Sequence, residues 1–338
     1  QEQKAILAMA SEPGTNTPKL RITAGAGTGK TTTLVYYAKE LIKKGHTNIM
    51  YLSFNKSSAK DADQRHFKRI PQVTTRTIDS AALNCMEDSL HGAPILENDS
   101  DINDRVKLIC GDSVEDFLRC MPETTESEIR VKQSVHRKII YFIQKTFIGF
   151  MQSELTIRRF EELAKRDDSK VIYYPAWLYH LRQGRERVPE MVPTKHKPFY
   201  AYAVMLLWSH VDGKSSIDSR LRFRTFHSIM KQAQLGSLKI PCSAILMDES
   251  QDMNQCQIEW ICSQHSQHNT HVVFVGDPAQ SIYSFRGAKS ELLMKLKDCT
   301  SLKLTKCHRF GKNISSVVNG LLHCKEVSPQ TVCKATPS

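Results

Sequence analysis

The chain has 338 residues and a formal net charge of +12, with 40% of its residues hydrophobic and 24% charged. These values exclude a disordered or collagen-like chain, and the length allows two domains or one large domain with an insertion. No apolar run approaches the roughly 18 residues that a membrane helix requires; the longest, Phe199–Trp208, has ten.

Short apolar runs alternate with helical patterns in the first hundred residues and again after residue 240. The predicted strands are Leu20–Ala24, Asn48–Phe54, Val73–Thr75, Ser243–Met247 and His271–Val275. The predicted helices are Lys30–Lys43, a stretch from Asn55 to about His66, one that starts near Thr77, and one after Asn254. This alternation predicts βαβ units and therefore an α/β fold with a parallel sheet.

A long, mostly helical and charged stretch interrupts this alternation. We therefore predict one α/β domain formed by residues 1–86 and 236–298, with a helical insertion at residues 87–235. A strand followed by a helix after residue 300 predicts that residues 299–338 begin a second domain. Because the chain opens without a methionine and stops soon after this unit, we interpret it as a fragment.

The positive charge is concentrated in residues 130–240, which carry 21 Lys and Arg against 9 Asp and Glu. The same segment holds 15 of the 26 aromatic residues. Basic side chains interleaved with aromatics are typical of a nucleic-acid path, where phosphates are neutralised and bases stack. A helical layer with solvated charges outside and aromatics in its own core explains the pattern equally well.

The sequence AGAGTGKTTT follows the first predicted strand and opens a helix. This context is typical of a phosphate-binding loop, whose backbone N–H groups surround a phosphate at a helix N-terminus. Lys30 is expected to reach the β- and γ-phosphates, and the Thr31 hydroxyl to ligate Mg²⁺. The alternative is a glycine-rich turn used for packing. The predicted nucleotide-binding residues are Ala24, Gly25, Ala26, Gly27, Thr28, Gly29, Lys30, Thr31 and Thr32.

The apolar run AILM is followed by DESQD, whose first two residues are the acidic pair Asp248 and Glu249. At the end of a strand, Asp248 is expected to hold Mg²⁺ and Glu249 to orient and deprotonate the attacking water. Asp252 is equally well explained as a helix cap or a solubility device. Together the loop and the acidic pair predict hydrolysis of ATP or GTP.

Five segments, taken in order, resemble the motifs of the UvrD/Rep group of superfamily 1 DNA helicases. AGAGTGKT resembles motif I, YLSFNKSSAKDA motif Ia, DESQD motif II, VFVGDPAQSIYSFRGA motif III and LTKCHRF motif IV. Within the group, the residues of motif Ia and the HRFG sequence at the end of motif IV are most similar to the eukaryotic F-box DNA helicase branch. The resemblance implies a RecA-like P-loop NTPase motor domain, a helical insertion like the family's 1B subdomain, and the truncated start of a second RecA-like domain.

The resemblance also implies roles for individual nucleotide-site residues. Gln3 lies where the family reads the adenine edge, which favours ATP over GTP, and His308 lies where an aromatic residue stacks on adenine. Gln280 corresponds to the sensor of the γ-phosphate, and Arg309 to the arginine that reaches this phosphate from the second motor domain. Lys30, Asp248, Glu249, Gln280 and Arg309 are therefore the predicted catalytic residues, with ATP and Mg²⁺ as cofactors.

For DNA, the resemblance implies a path over motifs Ia, Ib and III. Its predicted residues are Phe54, Asn55, Thr77, Tyr283, Phe285 and Arg286. The family usually has TFH in motif Ib, whereas this chain has Thr77-Ile78-Asp79, and Asp79 would repel phosphate. Because motifs V and VI are absent, we expect this chain alone to hydrolyse ATP poorly.

The function implied is an ATP-dependent DNA helicase or translocase that moves 3′→5′ on single-stranded or forked DNA, in DNA repair or recombination. An RNA helicase of the same superfamily and a non-catalytic, nucleotide-gated single-strand-binding paralogue are the alternatives. Ten cysteines without a CxxC pair, and no signal peptide at the first residues, favour an intracellular location. That location is the nucleus, or the cytoplasm if the source is prokaryotic.

Overall fold

The computed structural model describes residues 1–15, 18–86, 92–119, 129–164, 197–212, 219–284, 287–288, 290–324 and 334–335. The chain divides into two units. Gln1–Cys85 and Ser237–Ser338 form the first, here called the sheet unit, and Met86–Gly236 form the second, the helical unit. The helical unit is one residue wider at each end than the predicted insertion.

Six parallel strands form the central sheet of the sheet unit. The strands are β1 (Lys19–Ala24), β2 (Ile49–Ser53), β3 (Val73–Thr77), β4 (Ala244–Met247), β5 (His271–Gly276) and β6 (Cys299–Leu304). Their order is β3-β2-β4-β5-β1-β6. The predicted α/β fold with a parallel sheet is confirmed.

The sixth strand differs from the sequence prediction. β6 pairs with β1 along its full length, from Lys19 opposite Cys299 to Ala24 opposite Leu304. The assignment of residues 299–304 to a second domain was therefore wrong, because this strand completes the first sheet. A separate two-stranded sheet follows it, in which β7 (Lys306–Cys307) pairs in parallel with β8 (Lys334–Ala335).

The helices account for most of the remaining described residues. In chain order they are α1 (Glu2–Leu7), α2 (Lys30–Lys43), α3 (Lys56–Ala62), α4 (Ile78–Asn84), α5 (Asp99–Arg119), α6 (Ile129–Gln152), α7 (Ile157–Ala164), α8 (Lys197–Val211), α9 (Phe226–Leu235), α10 (Gln255–His268), α11 (Ser290–Met294) and α12 (Lys312–Cys324). Every residue of β2, β4 and β5 is buried. Since alternate strand residues point to opposite faces, both faces of the sheet's centre are covered.

A buried pair of histidines lies where β5 begins. The Tyr37 hydroxyl is 2.9 Å from Nε2 of His271, and the His46 and His271 rings are 6.2 Å apart. His46 contacts the Ser243 hydroxyl through Nδ1 at 2.8 Å. Burial, with smaller contributions from the nearby His46 and His265, lowers the pKa of His271 to about 4. His271 is therefore neutral in the folded protein at neutral pH.

This burial predicts a loss of stability in acid. His271 titrates near 6.5 when unfolded and near 4 when folded, so the unfolded chain binds more protons between these values. Its contribution is complete above pH 6.5 and disappears as the pH falls towards 4, a loss of about 3 kcal/mol. Denaturant unfolding across this range should give a shallower pH dependence for His271→Gln than for the wild type. Replacement of the exposed His308 by glutamine is the control, and equal slopes for wild type and His271→Gln would contradict the prediction.

Aromatic side chains form much of the core of the helical unit. Phe150 packs edge-on against Trp208 with ring centres 5.6 Å apart, and against Phe160 at 4.8 Å. Phe147 and Phe223 are also buried, with ring centres 6.1 Å apart. For these five residues of the basic segment, packing within the unit's own core is the correct interpretation.

The cationic side chain of Lys231 in the helical unit is buried as well. Lys231 is 0% exposed, and its ammonium group donates hydrogen bonds to the carbonyl oxygens of Ser153 and Leu155. It also lies 4.7 Å from the centre of the Phe150 ring. Part of the segment's basic charge therefore stabilises the fold.

Among the described residues, no helix combines the length and apolar character needed to cross a membrane.

Candidate nucleotide site and strand-binding loop

The glycine-rich loop connects the end of β1 to the start of α2. Gly27 and Gly29 have φ values of +67° and +81°, which favour glycine, and the Thr28 hydroxyl donates to the Gly25 carbonyl at 2.8 Å. Gly29 is the N-cap of α2, and Lys30 is its first residue. The loop therefore ends at a helix N-terminus, the arrangement that binds phosphate groups.

Two residues predicted to contact the nucleotide lie against this loop. The His308 N–H donates to the Gly27 carbonyl at 2.8 Å. A Cβ atom added to Gly27 would lie 2.5 Å from Cβ of Arg309 and 3.0 Å from the sulfur of Cys307. Gly27 is therefore required both for its backbone conformation and for the close approach of the segment that carries His308 and Arg309.

The acidic strand end lies beside the first turn of α2. The Thr31 hydroxyl donates to Oδ2 of Asp248 at 2.9 Å, and the Tyr51 hydroxyl donates to the same oxygen at 2.7 Å. The Glu249 N–H donates to Oδ1 at 2.9 Å. Burial raises the pKa of Asp248, the charge of Glu249 raises it further, and these hydrogen bonds oppose the rise.

The same groups fit a magnesium ion. Mg²⁺ takes oxygen ligands and is typically held by one or two carboxylates together with substrate phosphates. Asp248 is 2% exposed, and among the described residues no lysine, arginine or histidine forms an ion pair with it. A buried carboxylate beside a hydroxyl is thus a donor set that a divalent cation would neutralise. Thr31 and Asp248 are the residues that would hold the ion.

Glu249, the second residue of motif II, lies beside the phosphate loop. Its Oε2 is 3.8 Å from Nζ of Lys30, and it accepts a hydrogen bond from Nε2 of Gln251 at 2.9 Å. The backbone of Glu249 is left-handed, with φ of +49°. A non-glycine residue in this region is uncommon and costs free energy, and such positions cluster at functional sites.

Gln251 links the acidic pair to motif III. Its Oε1 accepts the N–H of Asp277 at 2.9 Å, and Oδ2 of Asp277 accepts from Nε2 of Gln280 at 2.6 Å. A Cβ atom on Gly276 would lie 2.6 Å from Oε1 of Gln251, so only glycine permits this approach. Gln280 therefore belongs to a network that starts at Glu249.

Asp252 has a role that the sequence left open. It is 6% exposed, and its Oδ1 accepts the N–H of Ile282 at 3.4 Å. Burial raises its pKa to about 6. Asp252 is therefore neither a solubility device nor the N-cap of α10, which is Asn254. It bonds the loop that carries Tyr283.

Tyr283 packs against Phe54, with ring centres 4.8 Å apart and ring planes inclined by 42°. The structure thus brings together the aromatic residues predicted from motifs Ia and III. Asn55 and Thr77 are N-caps, of α3 and α4, and accept the N–H groups of Ser58 and Ser80. Two further predicted DNA-binding residues, Phe285 and Arg286, lie outside the described residues.

Gln3 lies beside Gly29 of the phosphate loop. Its Nε2 donates to the Thr33 hydroxyl of α2 at 3.1 Å. Asp79, which departs from the family's motif Ib, accepts a weak hydrogen bond from Gln257 at 3.5 Å. Contact of Gln3 with adenine and the effect of Asp79 on DNA stay predictions.

A model of the UvrD/REP helicase N-terminal domain matches residues 7–300. The chain belongs to the UvrD/Rep helicase family. The sheet is accordingly that of a RecA-like motor domain. The confirmed resemblance rests on the five motifs, all of which contribute residues to the site just described.

Several curated proteins are similar in sequence to this chain. F-box DNA helicase protein 1 of Schizosaccharomyces pombe is 24% identical over 96% of this chain and 33% of its own length. F-box DNA helicase 1 of Gallus gallus is 27% identical over 98% of this chain and 28% of its own length. DNA helicase IV of Escherichia coli is 24% identical over 89% of this chain and 44% of its own length. The chain spans less than half the length of each of these relatives. Two of the three belong to the F-box DNA helicase branch.

Three residues of this UvrD/Rep site were missed by sequence reasoning. Tyr51 lies within a buried strand and has the pattern of a core residue, although its hydroxyl bonds to Asp248. Gln251 stands inside DESQD, and its position in the motif was the available signal. Glu2 precedes the predicted adenine-reading glutamine and bonds to Thr305, which nothing in the sequence indicates.

Proposed function

We propose that the protein is an ATP-dependent DNA helicase or translocase that moves 3′→5′ along single-stranded DNA. Its substrates are single-stranded and forked DNA, in DNA repair or recombination. We place it in the nucleus if its source is eukaryotic and in the cytoplasm if it is prokaryotic. One observation carries the proposal: hydrogen bonds connect Glu249, beside the phosphate loop, to the loop that holds Tyr283.

ATP binds with its phosphates on the loop between β1 and α2. The N–H groups at the start of α2 and the Lys30 ammonium neutralise the phosphate charge. Gln3 reads the adenine edge and His308 stacks on the base. Arg309, whose backbone already lies on Gly27, stabilises the negative charge that develops at the γ-phosphate.

Hydrolysis takes place between Lys30 and the acidic pair. Mg²⁺, when bound, supplies charge neutralisation at the phosphate oxygens. Glu249 orients the attacking water and accepts its proton, and its Oε2 is held in place by the amide of Gln251. Thr31 and Tyr51 fix the carboxylate of Asp248, so that its orientation is set before the nucleotide arrives.

Coupling to DNA runs through motif II. The Gln251 amide donates to Glu249 at 2.9 Å and, more weakly, to Asp252 at 3.4 Å. Asp252 in turn accepts the backbone N–H of Ile282, next to Tyr283. Three hydrogen bonds therefore connect Glu249 to the aromatic loop, and a change at Glu249 on hydrolysis is transmitted through them. Gln280 is joined to the same amide through Asp277.

The single strand passes over the aromatic pair Phe54 and Tyr283. Aromatic rings stack on bases without sequence preference, which suits a motor that must move along any strand. Asn55, Thr77, Phe285 and Arg286 are the further DNA contacts proposed. Ile282, which is 68% exposed, lies on the same loop and extends the apolar surface available to a base.

We expect Tyr283→Ala to weaken single-strand binding about five- to hundredfold, the range for loss of one stacked base. Nucleotide affinity should not change, since the ring of Tyr283 packs against Phe54 of motif Ia. Fluorescence anisotropy of a labelled oligonucleotide measures the first quantity, and a fluorescent nucleotide the second. Tyr36→Ala, at a half-exposed tyrosine on α2, is the matched control. Unchanged DNA affinity would show that Tyr283 only packs against Phe54.

Strand displacement tests the proposed function as a whole. The full-length protein should unwind a DNA duplex with a 3′ single-stranded tail in the presence of ATP and Mg²⁺, and not the same duplex with a 5′ tail. Preference for a matched RNA duplex would identify an RNA helicase instead. Nucleotide-dependent DNA binding without unwinding or ATP turnover would identify a single-strand clamp.

A further inference from the structure

The short helix α1 contacts two segments that border the candidate nucleotide site, α2 and the residues after β6. Through Gln3 it bonds to Thr33 of α2, and Gln3 lies beside Gly29 of the phosphate loop. Through Glu2 it reaches the segment that follows β6. Oε2 of Glu2 accepts the N–H of Thr305 at 2.8 Å, and Oε1 accepts the Thr305 hydroxyl at 2.6 Å.

Thr305 occupies the point where strand pairing ends. β6 pairs with β1 as far as Leu304, opposite Ala24, and the Gly25 N–H donates to the Leu304 carbonyl at 3.3 Å. Beyond Ala24 the phosphate loop turns away, so β1 offers no partner to the Thr305 N–H. Glu2 supplies that partner and adds a second bond to the side chain. A carboxylate accepting two short hydrogen bonds makes a strong, directional contact.

The tethered segment leads directly to Arg309. His308 donates to the Gly27 carbonyl at 2.8 Å, and Cβ of Arg309 lies against Gly27. The Arg309 N–H contacts the sulfur of Cys307 at 3.4 Å. The four residues after Thr305 are thus held at one end by Glu2, in the middle by the pairing of β7 with β8, and at the other end by the phosphate loop. Arg309 itself is exposed, so its position depends on these backbone contacts.

We propose that Glu2 is a positioning residue that holds Thr305 and thereby aims Arg309 at the γ-phosphate. The inference rests on the proposed function, because it assigns Glu2 a part in ATP hydrolysis. Glu2 acts through Thr305 on the course of residues 305–309. Its loss should lower the rate of hydrolysis and leave the binding of nucleotide to the loop unchanged.

The test is Glu2→Ala in the full-length protein, with ATP turnover measured in the presence of single-stranded DNA. We expect kcat to fall about tenfold, since a small misplacement of a catalytic group costs that much or more. The Kd for a fluorescent ATP analogue and the melting temperature should stay at their wild-type values. Glu12→Ala, at an exposed glutamate after α1, is the control and should behave as wild type. An unchanged kcat, or a loss of nucleotide affinity equal to the loss of rate, would overturn the proposal.

A double substitution separates positioning from a general structural role. If Glu2 acts through Arg309, Glu2→Ala should slow an Arg309→Ala protein no further. Losses that multiply would overturn the proposal. Should Glu2→Ala fail to fold, Thr305→Val removes only the 2.6 Å bond and should lower kcat in the same manner; wild-type turnover in this variant would overturn the proposal too. Absence of ATP turnover in the wild type would contradict the proposed function instead.

Discussion

Replacement of Lys30 by alanine is expected to reduce ATP turnover at least about a hundredfold, the cost of removing one charged group from a developing phosphate charge. Lys30 opens α2, its side chain is 11% exposed, and its ammonium lies 3.8 Å from Glu249. No other lysine or arginine of the described residues pairs with Glu249. Steady-state phosphate release measures the effect.

The control for Lys30→Ala is Lys44→Ala, at the exposed end of the same helix. It changes the net charge by the same amount and should retain wild-type turnover. Comparable activity of Lys30→Ala and Lys44→Ala would show that the loop after β1 is not the nucleotide site.

The second large effect is expected for Glu249→Gln. The amide keeps the size of the carboxylate and still accepts the hydrogen bond from Gln251, but it cannot take a proton from water. Turnover should fall about a hundred- to ten-thousandfold, the range for loss of a general base. ATP affinity should be retained or improved, because a negative charge beside the phosphates is removed.

Glu259→Gln, at an exposed glutamate of α10, is the matched control for Glu249→Gln. Rapid mixing with a labelled ATP separates binding from cleavage in both variants. If Glu249→Gln cleaved ATP at the wild-type rate, the base would have to be another residue. If it lost ATP binding together with cleavage, Glu249 would be part of the binding site.

The candidate nucleotide site could be located from the sequence because its residues are neighbours along the chain. Gly25 to Thr31 form one turn from a strand into a helix, and Asp248 and Glu249 directly end another strand. In each case the residue types and the local backbone are set within a few positions. The alternation of strands and helices likewise predicts a parallel sheet from local patterns alone.

The order of strands could not be predicted in this way. β6 looks like the start of a new domain, because a strand followed by a helix is the same local signal in either domain. Its partner, β1, lies about 280 residues earlier, and their pairing is a non-local choice made by the packing of the whole sheet. For the same reason the boundary at residue 298 was wrong although the strand itself was predicted.

The contacts that join the motifs were equally hidden. Asp252 and Gln251 belong to motif II, but their partners Ile282 and Asp277 lie in motif III, about 30 residues away. Glu2 and Thr305 stand 303 positions apart. Side chains that bond across strands carry no periodicity, so only the three-dimensional structure identifies them. In the basic segment, aromatic content alone did not separate a core from a DNA path, and burial decided for Phe150 and Trp208.

We propose that a site closed by Lys30 and Glu249 drives movement along DNA through the loop of Tyr283. The most direct measurement is ATP turnover by the full-length protein with and without single-stranded DNA, at saturating ATP and Mg²⁺. We expect single-stranded DNA to stimulate turnover severalfold or more in the wild type. Turnover that is the same with and without DNA would contradict the claim.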